Sequence, residues 1–340
     1  MKLKARFARG AAIAAVVAIG ATGCAANQDG SEGSDAAAEY PTEAIEFVTA
    51  GDPGGGLDIF ARQIQHALDA EGLLGTQLDI TNLGGGGGNT AMAVGRERAG
   101  TANTLIGNSN RVYLAPLLGT TDLTVNEDFV PIAQLMTEYM ALVVDKDSAY
   151  STGTEVLDAL AKDPRSLTLG VGTVPSDDQI HLLRAAEAGG VDASKINIVA
   201  FSSGGDLMTQ LLGGQVDVIS TGFSEALAQY AAGEVKILAI SAPERLEGDA
   251  AEIPTWKEQG IDVVVEHWRG VFGPADMPAE AVSYWEDTFA KMVETDTWAQ
   301  VLETNQWSLL YRDSAEFGKI LDEEAKTAER LLQSVGLLEK

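Results

Sequence analysis

Phe47-Val48-Thr49-Ala50-Gly51-Asp52-Pro53-Gly54-Gly55-Gly56-Leu57-Asp58 runs from a short apolar segment into a glycine-rich bend. Residues 45–48 have the β-branched and aromatic side chains of a buried strand, and Pro53 with three glycines ends it. Apolar residues then recur at helical spacing, at Ile59, Phe60, Ile64 and Leu68. The stretch therefore predicts a strand, a bend and the start of a helix.

The bend itself has no cationic side chain, so binding there depends on the backbone. Glycine leaves the amide N–H groups uncovered. The first amides of a helix have no partner within the helix, and the helix dipole favours a negative charge beside them. We therefore expect the bend to hold a carboxylate or a phosphate.

This segment resembles the first ligand loop of the Bug/TctC family, the extracytoplasmic solute receptors of tripartite tricarboxylate transporters. Pro53, Gly54, Gly55 and Asp58 occupy the positions of the family's Pro-Gly-Gly and Asp pattern. Four further motifs follow in the family's order, at residues 82–89, 170–182, 204–217 and 253–274. Together they cover roughly residues 40 to 300, and five ordered motifs are more specific than any one glycine loop.

The chain departs from the family pattern at two places. Residues 174–180 lengthen the third loop, and Phe201-Ser202-Ser203 replaces the more familiar Tyr-Lys before Gly204. The second difference removes a possible charge contact. Both differences bear on which ligand is bound more than on the fold.

The resemblance implies an α/β, two-lobed periplasmic-binding-protein type II fold with a C-terminal helical segment. Domain 1 would comprise residues 40–141 and 241–340, and domain 2 residues 142–240, with chain crossings near 140–145 and 237–241. The residue pattern agrees, because strand and helix signals alternate as a largely parallel sheet requires. Predicted strands include residues 78–81, 104–106, 141–144 and 167–171. Predicted C-terminal helices span 279–294, 297–303 and 314–335, and the apolar stripe of the last fits core packing better than a partner surface.

The family mode of binding, as the resemblance implies, holds a carboxylate by backbone amides in a cleft between the lobes. The expected ligand-binding residues are Gly51, Pro53, Gly54, Gly55, Gly56, Asp58, Gly86, Gly87, Asn89, Gly172, Thr173, Ser176, His181, Ser202, Ser203, Gly204 and Asp206. Asp58 is better suited to organising its loop than to touching an anion, because like charges repel. Asn89 is suited to capping the helix that follows.

Several of these features have a second interpretation. The glycine run 84–88 also suits a phosphate cradle or a loop without function, although no Gly-Lys-Ser/Thr follows it. His181 suits a structural role equally well. Trp268 and Arg269 follow a predicted strand at 263–265; they suit one wall of the cleft, but a packed tryptophan with a surface arginine is the commoner outcome.

No enzyme, metal site or cofactor is predicted. The histidines His66, His181 and His267 are isolated, and Cys24 is the only cysteine, so the usual metal-ligand spacings are missing. No Gly-x-Ser-x-Gly nucleophile motif occurs. The 50 acidic against 23 basic residues, a net charge of −27, exclude nucleic acid as a partner. This acidity is typical of solubility outside the cell, and salt screens it beyond about 8 Å from a bound anion.

The N-terminus has the pattern of a bacterial lipoprotein signal over residues 1–23, with basic residues, an apolar run too short for a membrane span, and Ala21-Thr22-Gly23 before Cys24. Lipidation of Cys24 would anchor the chain to the cell membrane; plain signal cleavage is the alternative. Residues 24–39 are small, polar and acidic, as in a flexible tether.

The sequence as a whole indicates a monomeric, lipid-anchored extracytoplasmic receptor. It would capture a small carboxylate by lobe closure and deliver it to the membrane subunits of a tripartite tricarboxylate-type transporter. Two other classes stay open: a sensory receptor that signals to a membrane kinase, and a secreted hydrolase.

Overall fold

A computed structural model describes residues 40–51, 53–85, 88–172, 174, 176–201 and 204–338. The predicted signal peptide, Cys24 lipidation site and tether lie outside these residues. The strands are β1 (Ile45–Thr49), β2 (Leu78–Asn82), β3 (Thr104–Asn108), β4 (Phe129–Asp145), β5 (Thr168–Val171), β6 (Asn197–Ala200), β7 (Val218–Gly222), β8 (Val235–Ile240), β9 (Glu266–Pro274) and β10 (Ser308–Arg312). The helices are α1 (Gly56–Glu71), α2 (Asn89–Glu97), α3 (Arg111–Leu117), α4 (Val125–Asp128), α5 (Gly153–Lys162), α6 (Asp177–Ala188), α7 (Gly204–Leu212), α8 (Phe223–Ala231), α9 (Ala279–Val293), α10 (Asp296–Asn305) and α11 (Ser314–Ser334).

β1 and α1 form as the opening stretch predicts. Phe47 and Val48 on β1 are fully buried, and α1 turns Phe60, Ile64 and Leu68 into the same core cluster as Phe47. Burying one such side chain contributes about 1.5–3 kcal/mol, so the two elements stabilise each other. β1 pairs in parallel with β2 and β3, which brings the carboxyl ends of these strands to one edge of the sheet.

β4 is the strand on which the whole sheet is organised. Its residues 129–139 pair with β9, and β10 pairs with the same half. Its residues 140–145 pair with β7 and β8 instead. We call β2-β1-β3-β9 with residues 129–139 and β10 the first sheet region, and β7-β5-β6 with residues 140–145 and β8 the second sheet region.

Parallel pairing also orders the second sheet region. β5 pairs in parallel with both β6 and β7, so Val171, Ala200 and Gly222 end three neighbouring strands at one edge. The segments after these strands begin α6, α7 and α8. Ligand crevices in open α/β sheets lie outside the carboxyl ends of the strands, so both sheet regions present their loops where a site is expected.

The C-terminal helices confirm the sequence prediction in position and role. α11 buries Phe317, Leu321, Ala328, Leu331 and Leu332, and these pack in one cluster with residues of β3, α3 and β9. The apolar stripe is therefore core, not a partner surface.

One predicted strand was wrong, and one strand was missed. Residues 263–265 are not a strand, because the strand begins at Glu266 and includes Trp268 and Arg269. β10, within the segment predicted to be helical, was missed; it is short and pairs with β4 at a shifted register. Its residues are half-buried or exposed, so no apolar alternation marks it.

None of the helices in the described ranges is long and apolar enough to cross a membrane.

Candidate functional site

A cavity of about 460 Å³ opens at the carboxyl ends of the strands, between the two sheet regions. This volume is within the usual range for small-molecule sites. The first sheet region and its loops contribute Ala50, Gly51, Gly55, Gly56, Leu57, Gly84, Gly85, Gly88, Ser109, Asn110, Arg111, Glu138, His267 and Arg269. The second contributes Gly172, Ser176, Asp177, Asp178, Gly204, Gly222 and Glu225.

The N-terminus of α1 faces this cavity without a cap. Gly55 is the N-cap in extended conformation (φ −78°, ψ 168°), and no described side chain caps the helix. The amides of Gly55, Gly56 and Leu57 donate no hydrogen bond within the described ranges. Unpaired amides at a helix N-terminus bind anions, so this end of the cavity suits a carboxylate.

Asp58 holds the glycine bend in shape. Its carboxylate accepts hydrogen bonds from the Gly54 amide (2.7 Å), Asn82 Nδ2 (2.9 Å) and Arg62 Nε (3.1 Å). Burial alone would raise the pKa of Asp58, but these hydrogen bonds and the charge of Arg62 hold it below its usual range. Gly54 has φ +80°, a left-handed conformation that glycine adopts without strain. Asp58 therefore organises the loop and does not line the cavity.

Arg269 lies behind the first turn of α1. Its Nη2 donates to Glu138 Oε1 at 2.9 Å, and the two side chains are only 8% and 2% exposed. A Cβ on Gly56 would come 2.7 Å from Nη2, so this glycine lets the guanidinium pack against the helix. The guanidinium also stacks over the Trp307 ring, 5.1 Å from its centroid. Its Nη1 is buried with no hydrogen-bond partner among the described residues.

Arg269 is therefore buried, and the prediction of a surface arginine was wrong. Trp268 is packed as the commoner interpretation predicted, with its indole N–H donating to Glu324 Oε2 at 2.8 Å. Neighbouring strand residues point to opposite faces, so the burial of Trp268 on one face leaves Arg269 on the other. That other face borders the cavity, which both Arg269 and Glu138 line.

Asp177 connects the two sheet regions at the wall of the cavity. This buried carboxylate, at the start of α6, lies 2.5 Å from His267 Nδ1 on β9. It also accepts a short hydrogen bond from the Asn110 side-chain amide. Burial would lower the pKa of His267, but the hydrogen bond and charge of Asp177, together with Glu138, raise it overall.

The N-terminus of α6 carries its own acceptors. The Ser176 hydroxyl accepts from the Gln179 amide at 3.4 Å, and the Gly172 amide donates to Asp178 Oδ2 at 2.7 Å. Burial raises the pKa of Asp178 to about 7, against the Gly172 hydrogen bond, and the charge of Glu225 adds to the rise. The Gly172 amide is therefore engaged by a carboxylate of the protein itself.

The structure brings together one group of the predicted residues at the cavity: Gly51, Gly55, Gly56, Gly172, Ser176 and Gly204. A second group does not line it: Pro53, Gly54, Asp58, Asn89, His181 and Asp206. The remainder lie outside the described residues: Gly86, Gly87, Thr173, Ser202 and Ser203.

Two residues of the second group have other roles. Asn89 is the first residue of α2 rather than its cap, and its Nδ2 donates to the Thr120 carbonyl at 3.0 Å. Asp206 accepts from Gln210 Nε2 at 3.1 Å on α7. The Asn89 side chain thus connects α2 to the segment after α3, and that of Asp206 bonds within α7.

His181 belongs to the core of the second sheet region. It is fully buried, its Nδ1 lies 2.7 Å from Ser220 Oγ, and its Nε2 accepts from Trp256 Nε1 at 2.7 Å. Burial lowers the pKa of His181 to about 3, so the ring is neutral. Of its two sequence interpretations, the structural one fits, with a hydroxyl and an indole as partners instead of a backbone carbonyl.

Sequence reasoning missed several residues of the cavity wall. Ser109, Asn110 and Arg111 directly follow β3, so their place after a predicted strand was an available signal. Glu138 and Glu225 had no comparable signal, because an acidic residue is ordinary in so acidic a chain. Among the described residues, no group of three or more His, Cys, Asp or Glu is arranged to hold a metal ion.

The sheet and cavity define a class, an α/β solute-binding protein with its site between two sheet regions. A family model described as "Tripartite tricarboxylate transporter family receptor" matches residues 60–337. The chain therefore belongs to this family and is a solute-binding receptor, as its glycine-loop motifs predicted.

Relatives and solved structures agree with this assignment. BugT of Bordetella pertussis is 25% identical over 243 residues, which span 70% of this chain and 73% of BugT. A UPF0065 protein of Agrobacterium vitis is 26% identical over 247 residues, spanning 72% of this chain and 69% of that protein.

Solved structures confirm the predicted α/β periplasmic-binding-protein fold. Rpa4515 of R. palustris, solved with adipate, has a TM-score of 0.76 at 21% identity, covering 88% of this chain and 99% of that one. MatC of Rhodopseudomonas palustris, solved with malate, has a TM-score of 0.72 at 22% identity, covering 86% and 100%. A TctC solute binding protein from Polaromonas has a TM-score of 0.73 at 24% identity, covering 86% and 99%.

Proposed function

We propose that this receptor captures a small carboxylate in the 460 Å³ cavity, outside the cytoplasm, and delivers it to the membrane subunits of a tripartite tricarboxylate-type transporter. It binds its ligand without converting it.

One observation carries the proposal: the uncapped N-terminus of α1 faces the cavity. The amides of Gly55, Gly56 and Leu57 have no acceptor in the described part of the chain, although the helix is long enough to have a full dipole. Arg111 lines the same cavity and makes no ion pair with a described residue. A carboxylate bound in the cavity would accept hydrogen bonds from these amides, and the Arg111 guanidinium adds a positive charge to the same cavity.

The family supports a carboxylate ligand. Two structural neighbours were solved with adipate and with malate, both of them dicarboxylates. Other solved neighbours are periplasmic proteins, which supports a place outside the cytoplasm. We further propose that the chain is a monomer anchored by a lipid on Cys24.

The mechanism we propose is closure of two lobes around the ligand. Domain 1 would be residues 40–141 and 241–340, and domain 2 residues 142–240, joined near β4 and β8. β4 supports this division, because it changes its pairing partners at residue 140. A ligand that touches both lobes favours the closed state only by contacts that the open state lacks.

The test is calorimetry of the purified protein with a panel of small di- and tricarboxylates, comparing Gly55→Val with Gly75→Val. Gly55 has an extended conformation that valine tolerates, so its side chain would cover the α1 amides without unfolding the helix. Gly75 is exposed, with nothing near its Cβ position, and is the matched control.

We expect Gly55→Val to weaken binding of the best carboxylate about tenfold or more, and Gly75→Val to leave it unchanged. Equal affinities of the two variants, or no binding of any carboxylate by the wild-type protein, would overturn the proposal. Native mass spectrometry of freshly purified protein would identify a ligand that copurifies.

A further inference from the structure

We propose that the ligand carries a primary ammonium group as well as its carboxylate, with the carboxylate at the N-terminus of α1 and the ammonium against Asp178 and Glu225. This inference rests on the proposed function and names the class of ligand, a zwitterionic amino acid whose two charged groups lie at opposite ends.

Two of the four carboxylates that line the cavity are neutralised within the protein. Glu138 pairs with Arg269 at 2.9 Å and accepts a hydrogen bond from Ser224 at 2.5 Å. Asp177 pairs with His267 at 2.5 Å. Each of these two pairs has little net charge with which to attract or repel a ligand.

Asp178 and Glu225 have no such compensation. Among the described residues, Asp178 accepts a hydrogen bond from the Gly172 amide at 2.7 Å and Glu225 accepts one from the Thr221 hydroxyl at 2.5 Å, and neither carboxylate forms an ion pair. Glu225 adds a repulsive charge to Asp178, so the two lie within electrostatic range. A second anion at this end would be repelled, whereas an ammonium would be attracted by both.

Gly204 allows this acidic pair to form at the cavity wall. A Cβ at Gly204 would lie 2.2 Å from Glu225 Oε2, so only glycine lets the carboxylate occupy this position. Both carboxylates belong to first turns of helices, at α6 and α8, where negative charge is stabilised. The acidic end of the cavity is therefore built into the second sheet region.

The first sheet region independently indicates a ligand. Arg269 is 7% exposed and lines the cavity, yet its Nη1 has no hydrogen-bond partner in the described ranges. Arg111 and the free α1 amides line the cavity from the same sheet region. Arg111 and the α1 amides thus make the first-sheet-region side of the cavity positive, whereas Asp178 and Glu225 make the other side negative, a charge pattern that a zwitterion matches and a dicarboxylate does not.

The test compares dicarboxylates with amino acids of matched length, in which one carboxylate is replaced by an aminomethyl group. The pairs are succinate with 4-aminobutanoate, glutarate with 5-aminopentanoate, and adipate with 6-aminohexanoate. Calorimetry at neutral pH gives the affinity ratio within each pair. We expect the amino acid to bind at least about tenfold more tightly in the pair whose length suits the cavity.

Three variants of the full chain test where the ammonium and the carboxylate of the ligand bind. Glu225→Gln should reduce the amino-acid preference about tenfold, because it removes one charge beside the ammonium. Arg111→Gln should weaken both members of a pair alike, because they share the carboxylate. Asp158→Asn, an exposed acid on α5, should change neither.

Tighter binding of the dicarboxylate in all three pairs, no binding of any of the amino acids, or an unchanged ratio in Glu225→Gln would overturn the inference. In the first of these cases the proposed carboxylate receptor stands. It fails separately if no carboxylate binds the wild-type protein, or if Gly55→Val and Gly75→Val bind the ligand with equal affinity.

Discussion

The carboxylate of Asp177 lies 2.5 Å from the imidazole of His267, and this contact joins the second sheet region to the first at the wall of the cavity. The two residues are 90 positions apart in sequence. Since Asp177 begins α6 and His267 lies on β9, any opening of the cavity that separates these elements must break this contact.

The contact predicts a pH dependence of stability. The pKa of His267 is raised in the folded protein, chiefly because Asp177 outweighs the effect of burial. Its contribution is therefore complete below about pH 6.5, the ordinary histidine pKa, and is lost as pH rises through the raised pKa. We expect the difference in free energy of unfolding between wild type and His267→Gln to shrink from about pH 6 to pH 9.

Urea denaturation at several pH values measures this difference. Wild type and variant share their other titrating groups, so the contributions of these groups cancel in the difference in free energy of unfolding. One such group is Glu324, because burial raises its pKa to about 7. His66→Gln is the control, because this exposed histidine of α1 forms no ion pair with a described residue. A difference for His267→Gln that stays constant with pH would contradict the prediction.

The Arg269–Glu138 pair predicts a large loss of stability when one partner is removed. Glu138→Gln leaves the guanidinium buried without a counter-charge, and breaking a buried pair in this way costs about 3–5 kcal/mol. The control is Arg98→Ala, which breaks a pair with Glu46 whose side chains are 49% and 33% exposed. Such a surface pair is worth about 0–1 kcal/mol. Equal losses in urea denaturation would show that Arg269 is not held as the structure indicates.

These contacts show which part of the site was predictable from sequence. The strand, bend and uncapped helix at residues 45–64 follow from neighbouring residues, so local pattern sufficed. The partners of Arg269 and Asp177 are 131 and 90 residues away. The pairing of β4 with β9 brings Glu138 to Arg269, and the start of α6 brings Asp177 to His267. Charge partners in a chain with 50 acidic residues cannot be selected by spacing alone.

The same distinction explains the glycine motifs. Gly170 and Gly172 were one loop in the sequence pattern, but Gly170 lies inside β5. A Cβ there would come 2.6 Å from Leu207 Cδ1, so packing requires that glycine. Only Gly172 reaches the cavity. The sequence motif therefore contains one glycine that packing requires, Gly170, and one that lines the cavity, Gly172.

His181 predicts a loss of stability without a loss of binding. His181→Leu would leave the Trp256 indole N–H buried without an acceptor, which costs about 1–3 kcal/mol. Because burial holds the pKa of His181 at about 3, its neutral ring also lowers stability relative to the unfolded chain as pH falls from about 6.5 toward 3. The variant should therefore be less stable at pH 8 but lose less on acidification.

Thermal unfolding between pH 4 and 8 and calorimetry at pH 8 separate these effects. Ser220→Ala is the milder companion variant, since it removes one partner of the imidazole and leaves the indole hydrogen bond. A marked loss of ligand affinity in His181→Leu, with stability unchanged, would return this histidine to the binding site.

Asp178 predicts that binding of an amino acid releases protons near neutral pH. Burial, against the Gly172 hydrogen bond, raises its pKa to about 7, so part of the protein holds a proton there. The charged groups that act on it are Glu225 on α8, Asp177 beside it on α6, and His267 on β9. An ammonium placed against Asp178 favours the ionised form and expels that proton, so affinity should rise from about pH 6 to pH 8.

Calorimetry in buffers of different ionisation enthalpy counts the protons released. Asp178→Asn has no proton to release and should bind the amino acid with little pH dependence over this range, although more weakly at pH 8. A dicarboxylate placed at the same wall would do the opposite, since a second negative charge raises the pKa of Asp178 and takes up a proton. The sign of the proton change therefore identifies the charge of the group that lies against Asp178, independently of which ligand binds most tightly.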